Sequence, residues 1–181
     1  MQDFFYNNYT RILFGKNAEE GLGAQATDFS KAKRALLVYG SDRVKKDGLL
    51  GRVEAALKAE GFETECLGGV VPNPRLSKVH EGIEKARAMG ADLIMGVGGG
   101  SVMDTAKLAG VLLDGSSTVH DLLEAPGRAK KCCPTLMIPT TAGTGSEATP
   151  NAIVAVPEQE LKVGIVSDAM IADNVLLDPL M

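Results

Sequence analysis

Short unbroken apolar runs alternate along this chain with longer stretches whose apolar residues recur every three or four positions. Arg34–Tyr39 (RALLVY), 93–97 (LIMGV) and 134–138 (PTLMI) are the compact runs, and 175–177 (VLL) starts a fourth. Runs this short, with no polar alternation, predict strands buried on both faces. Between them the period changes. Leu50, Val53 and Leu57 recur at i, i+3 and i+7, with Ser41 and Asp42 upstream as candidate caps. Val79, Ile83 and Ala86 follow Ser77 as a cap, and Val102, Ala106, Ala109 and Leu113 follow Ser101. Strands and helices in alternation predict βαβ units, hence an α/β fold: a Rossmann-like parallel sheet flanked by helices.

The two ends depart from this rhythm. Residues 152–156 and 161–166, joined by Pro157-Glu158-Gln159-Glu160, predict an added β-hairpin. Residues 9–14, ahead of Gly15, predict a short strand pair. No internal repeat, low-complexity tract or linker interrupts the chain, so its 181 residues read as one domain.

Composition narrows the function classes. Apolar residues make up 45% and charged residues 23%, which excludes a disordered chain. A net charge of −4 argues against a general nucleic-acid binder, whose surface must attract phosphate. The basic pairs Lys45-Lys46 and Lys130-Lys131 read as solvated turns. No apolar run approaches the roughly 18 residues that span a bilayer. Met1 to Tyr6 lack the basic start and apolar core of a signal peptide. Cys66, Cys132 and Cys133 cannot all pair, and they read as thiols in a reducing compartment. The expected location is the cytoplasm, with neither a membrane nor a nucleic acid as partner.

The most informative segment is Gly96-Val97-Gly98-Gly99-Gly100-Ser101-Val102-Met103-Asp104-Thr105-Ala106-Lys107. A buried strand runs into consecutive glycines, and a helix follows at once. Glycines let the backbone turn sharply and let a bulky anion approach, while the first helical amides and the helix dipole favour negative charge. A pyrophosphate suits that place better than a plain strand-to-helix turn capped by Ser101. The segment departs from the common dinucleotide fingerprint, because Ser101 stands where Gly or Ala is usual and the strand is a late one. Asp104 and Lys107, at i and i+3, either pair with each other, or Asp104 braces the glycine loop or reaches a ligand hydroxyl.

A second segment, Pro139-Thr140-Thr141-Ala142-Gly143-Thr144-Gly145-Ser146-Glu147, follows another buried strand. Its small hydroxylated residues suit the far side of a phosphate or a nicotinamide amide. Read alone it is a polar loop with Thr144 or Ser146 as a cap. Beside the glycine turn it predicts a cleft at the carboxyl ends of parallel strands.

Together these two segments resemble the N-terminal motifs of the iron-containing (group III) alcohol dehydrogenase family. Arg11-Ile12-Leu13-Phe14-Gly15, Val71-Pro72-Asn73-Pro74 and Leu177-Asp178-Pro179-Leu180 are similar to that family in the same order. The resemblance implies a dehydroquinate synthase-like N-terminal domain and a site that binds NAD or NADP. It places the glycine turn at the pyrophosphate, where Gly98, Gly99, Gly100, Ser101 and Asp104 match the family position by position, and Thr140, Thr141 and Thr144 along the cofactor. Asn73 then contacts the adenosine side, Lys162 reaches the ribose or phosphate, and Asn151 makes a further contact.

Gly40, directly after the strand Arg34–Tyr39, stands where NAD-preferring relatives carry an Asp. With Ser41 and Arg43 it favours NADP, whereas Asp42 turned inward restores NAD; Ser41 or Asp42 as a plain helix cap is the bland alternative. The family's divalent iron, or zinc, belongs by resemblance to a helical C-terminal domain outside residues 1–181. His80 and His120 match no ligand position, so neither a metal site nor a catalytic residue is expected in this chain. The implied reaction is hydride transfer between NAD(P) and a small alcohol or aldehyde, with a homodimer as a possible assembly. This chain alone is then expected to be inactive. The competing reading is a self-standing nucleotide-binding module, or a truncated subunit, without redox chemistry.

Overall fold

The computed structural model describes residues 8–181, so the segment read for a leader lies outside the described residues. Its centre is a six-stranded, all-parallel sheet. The strands are β1 (Arg11–Phe14), β2 (Arg34–Tyr39), β3 (Glu63–Leu67), β4 (Leu93–Gly98), β5 (Thr135–Pro139) and, after the hairpin, β8 (Asn174–Leu177). The hairpin strands are β6 (Asn151–Val156) and β7 (Leu161–Val166), paired antiparallel from Asn151↔Val166 to Val156↔Leu161.

In space the sheet runs β1-β8-β5-β4-β2-β3. The chain therefore steps outward from β2 to β3, then returns to the other side of β2 and continues through β4 and β5. That reversal puts a topological switch point between β2 and β4, where the following loops diverge and leave a crevice.

Alternation along each central strand feeds two cores. Leu36, Val38, Ile94, Met137 and Val175 face one side, where α4 (Leu76–Met89), α5 (Gly100–Leu112) and α6 (Val119–Glu124) pack. Leu37, Met95, Val97, Ile138 and Leu176 face the other, under α1 (Leu22–Thr27), α2 (Arg43–Lys46) and α3 (Leu49–Ala59). A sheet covered on both sides has no polar face, which is why its central strands read as unbroken apolar runs.

Four local expectations change. The strand β3 (ETECL) carries no apolar run because it lies at the sheet edge, with only Leu67 fully buried. The opening segment forms one parallel strand beside β8, not a strand pair. Ser77 is not a cap, since α4 starts at Leu76 with Arg75 before it. Ahead of α3 the side chain that accepts a first-turn amide is Asp47, from Leu49 N at 3.0 Å, rather than Ser41 or Asp42.

The hairpin lies over the α5 side, burying Ala152, Val154 and Ile165 in that core. Ala155 N donates to Pro74 O at 2.7 Å, tying it to the loop that carries Asn73. Cys66, Cys132 and Cys133 are unbridged and partly buried. Burial pushes the Cys133 thiol up to about 12. No described helix is long and apolar enough to cross a membrane.

Candidate cofactor cleft

At the carboxyl end of β4 the backbone reverses within two residues. Gly98 has φ 155°, and a Cβ there would come within 2.8 Å of Val102 Cγ2. Gly99 then takes the N-cap place of α5 with an extended backbone, and the helix begins at Gly100. Ser101 is therefore inside the first turn and not the cap. Val102 N and Met103 N both return to Gly99 O, at 3.0 and 3.2 Å. The amides of Gly100 and Ser101 precede any helical partner and remain open to a ligand. A Cβ on Gly99 would meet only Thr141 within 4 Å, at 3.4 Å from its Oγ1, so this cradle has unfilled space beside it.

The second loop lies directly against the first. Thr140 N donates to Gly98 O at 3.0 Å, and a Cβ on Gly100 would sit 3.1 Å from Thr144 Cγ2. The hairpin closes the third side. Between them is an open cleft of about 370 Å³ whose lining includes Asn73, Gly100, Ser101, Asp104, Thr144, Asn151 and Lys162. Thr140 instead lines a neighbouring hollow of about 300 Å³ with Arg43, Arg52 and Leu180. Gly40 lies at the end of β2, where its carbonyl accepts from Gly69 N at 2.8 Å and a Cβ would approach Val70 O at 3.2 Å. Seven of the twelve candidate positions line the cleft, whereas Gly40, Gly98, Gly99, Thr140 and Thr141 do not.

Asp104 lines the cleft and also makes contacts behind it. Its Oδ1 accepts from Ser146 Oγ at 2.6 Å and its Oδ2 from Ile153 N at 3.1 Å. It also lies 3.7 Å from Lys107 Nζ. Asp104 pairs with Lys107 and braces the threonine loop and hairpin, rather than the glycine turn. Lys107 is fully buried, and burial lowers its proton affinity against the opposing pull of Asp104 and then Glu147. The i, i+3 spacing signalled the ion pair; the bond from Ser146 to Asp104 and those from Lys107 to the loop carbonyls were not legible.

The fit to the groups implied by the resemblance differs. Open amides at a helix start, a glycine cradle with room beside it, and the nearby Lys162 ammonium suit a pyrophosphate. A divalent metal is not suited: among the described residues no three His, Cys, Asp or Glu side chains converge. His80 is on α4 and His120 on α6, away from this cleft.

The sequence pattern of the family described as "Iron-containing alcohol dehydrogenase" matches residues 9–179. The chain belongs to that family. NADH-dependent butanol dehydrogenase A of Clostridium acetobutylicum is 35% identical over 181 residues, covering 99% of this chain and 46% of that protein. The sulfoacetaldehyde reductase of Bilophila wadsworthia is 37% identical over 175 residues, covering 97% of this chain and 45% of that protein. Among solved structures, NADH-dependent butanol dehydrogenase A of Thermotoga maritima superposes with a TM-score of 0.87 at 33% identity, covering 99% of this chain and 45% of that one. The family's Rossmann-like N-terminal fold is therefore present here, and the chain spans about half the length of the relatives it matches.

Proposed function

We propose that this chain is the NAD(P)-binding domain of a metal-dependent alcohol dehydrogenase acting on a small alcohol or aldehyde. The observation that carries this reading is that the start of α5 (Gly100 and Ser101), Thr144 and Lys162 line one cleft beyond the carboxyl ends of a parallel sheet. The bound nicotinamide supplies hydride acceptance or donation. The chain's own residues bind and orient. The Gly100 and Ser101 amides hold the pyrophosphate, and Lys162 offsets its charge. Thr140, Thr141 and Thr144 offer hydroxyls along the loop, and Asn73 and Asn151 line the cleft.

The divalent metal belongs, in this reading, to a helical domain whose ligands are not among the described residues. Alcohol oxidation by this chain alone is then absent even with added iron or zinc. A chelator-sensitive turnover overturns that part of the reading.

Gly40 has Val70 O where a side chain would stand, and Asp42 is paired with Lys45 at 3.3 Å. The relatives give the preference for NADP no support, since the names of several specify NADH. NADH is accordingly the first probe. Titration of the chain with NADH by its own fluorescence should show saturable binding that Gly99→Val removes. Equal affinity of wild type and variant overturns the assignment of the glycine turn, and a parallel titration with NADPH decides between the two dinucleotides.

A further inference from the structure

Lys107 has no part in the cleft so far, yet it is the largest side chain in the described structure that is essentially without exposed surface. An ammonium taken out of water is heavily destabilised unless its charge and its donors are both matched. Here they are. Nζ donates to Ser146 O at 2.8 Å, to Thr149 O at 3.2 Å and to Asn151 O. An ammonium has three donors, and three carbonyls receive them. Asp104 supplies the counter-charge and holds Ser146 Oγ and Ile153 N by its two oxygens.

These contacts fall on a segment with little structure of its own. Between Thr140 and Pro150 the backbone ties to the rest of the described chain are few: Thr140 N to Gly98 O, Ala148 N to Gly145 O within the loop, and Ser167 N to Pro150 O. The carbonyls of Ser146, Thr149 and Asn151 depend on an ammonium that arrives from α5. Thr144 precedes this stretch, Asn151 ends it, and Lys162 stands opposite Ala155 on the hairpin it leads into.

We propose that the Asp104–Lys107 pair is a clamp that sets the backbone from Ser146 to Ile153 in its binding shape before any dinucleotide arrives. The inference rests on reading the cleft as a dinucleotide site. Its consequence is preorganisation: a loop already held loses no freedom on binding, so Lys107 strengthens affinity from outside the cleft lining. Lys107 is a positioning residue. Its charge is committed to Asp104 and the carbonyls, which leaves Lys162 as the cation facing the cleft.

The test uses the full chain in three forms: wild type, Lys107→Met and Asp104→Asn. Amide hydrogen exchange and NADH titration are both read. In free wild type, the Ile153 amide should be protected like the amides of α5. Lys107→Met should lose that protection at least tenfold across residues 146–153 while β2, β4 and β5 keep theirs. Its NADH affinity should fall by about tenfold, the size of one well-placed charged contact.

Asp104→Asn keeps the shape but leaves Glu147 as the one nearby anion facing Lys107 from the loop; β6 offers it only the Asn151 carbonyl. Burial lowers the proton affinity of Lys107 and Asp104 raises it, so removing the aspartate charge lowers it further. NADH affinity in this variant should therefore drop with rising pH at a lower pH than in wild type, which a purely steric role does not produce. Unaltered protection and affinity in Lys107→Met, or coincident pH profiles for Asp104→Asn and wild type, overturn the clamp. If Lys107→Met does not fold, the pH comparison decides. If wild type binds no NADH, the cofactor reading fails by itself, and the exchange data on Asp104→Asn across the same pH range decide the clamp.

Discussion

The two walls of the cleft acquire their shapes by different routes. The glycine wall is local: β4 is pinned between β2 and β5, α5 is pinned by its core face, and Gly99 alone lies between them. The threonine wall has almost no regular structure, and side chains from α5 hold it in place. A wall of the first kind tolerates changes around it but not within it. A wall of the second kind is sensitive to changes at a buried residue of that helix, Lys107, which lies outside the cleft lining.

Substitutions at successive glycines separate the two. Gly98→Val should have the largest effect, on folding itself. Its φ of 155° and the 2.8 Å approach to Val102 leave no place for a branched side chain. Overpacking and backbone strain together should cost about 2–4 kcal/mol, read as a lowered midpoint in thermal or urea denaturation. An unchanged midpoint means the turn is less constrained than its geometry implies.

One residue on, the balance reverses. Gly99 has an extended backbone and open space beside it, so Gly99→Val should leave the midpoint unchanged. It should weaken NADH by about thirtyfold or more, ~2 kcal/mol, because the side chain occupies the place of the phosphate. If stability drops and binding survives, the open space at Gly99 is not the anion cradle.

Gly100→Ala probes the contact between the walls. The new methyl would sit 3.1 to 3.3 Å from three atoms of Thr144, so the loop must give by a few tenths of an ångström. Overpacking at its low end predicts a loss of NADH affinity of about threefold to fivefold, ~1 kcal/mol. In the Lys107→Met background, where the loop is already loose, the same substitution should cost less. Equal losses in both backgrounds would show that the walls do not communicate through Thr144.

Arg43→Ala should have the smallest effect. Arg43 belongs to neither wall and lines the neighbouring hollow with Thr140. NADH affinity should change by less than about twofold, as for an exposed charge screened by water. A selective loss for NADPH in paired titrations would restore the NADP preference that Gly40 and Arg43 suggest.

Much of the fold was legible because burial on both sides erases polar alternation, and β2, β4 and β5 are buried throughout. The edge strand β3 was not legible for the same reason reversed. Glu63 is exposed and Thr64, Glu65 and Cys66 are only partly covered, so selection for an apolar run is relaxed there. At the start of α5 the serine looked like a cap, but the turn is tight enough that Gly99 takes that place. The glycine turn and the threonine loop were both visible as candidate ligand contacts from residue type and order. The Asp104–Lys107 pair was among the alternatives, but its burial and its bonds to the threonine loop were not visible.

By itself, the sequence determined what short-range physics controls: which segments are strands or helices, that the glycines follow a buried strand, and which family the motifs resemble. Those properties depend on residues a few positions apart, where periodicity and steric freedom act directly. Only the tertiary structure decided that β4 lies between β2 and β5, that the hairpin closes over α5, and that Lys107 reaches across 39 to 44 residues to three carbonyls. A lysine on a helix is ordinarily solvated. Its burial here follows from the packing of a loop whose unpaired carbonyls need a donor, and nothing in the spacing of Asp104 and Lys107 states where those carbonyls will be.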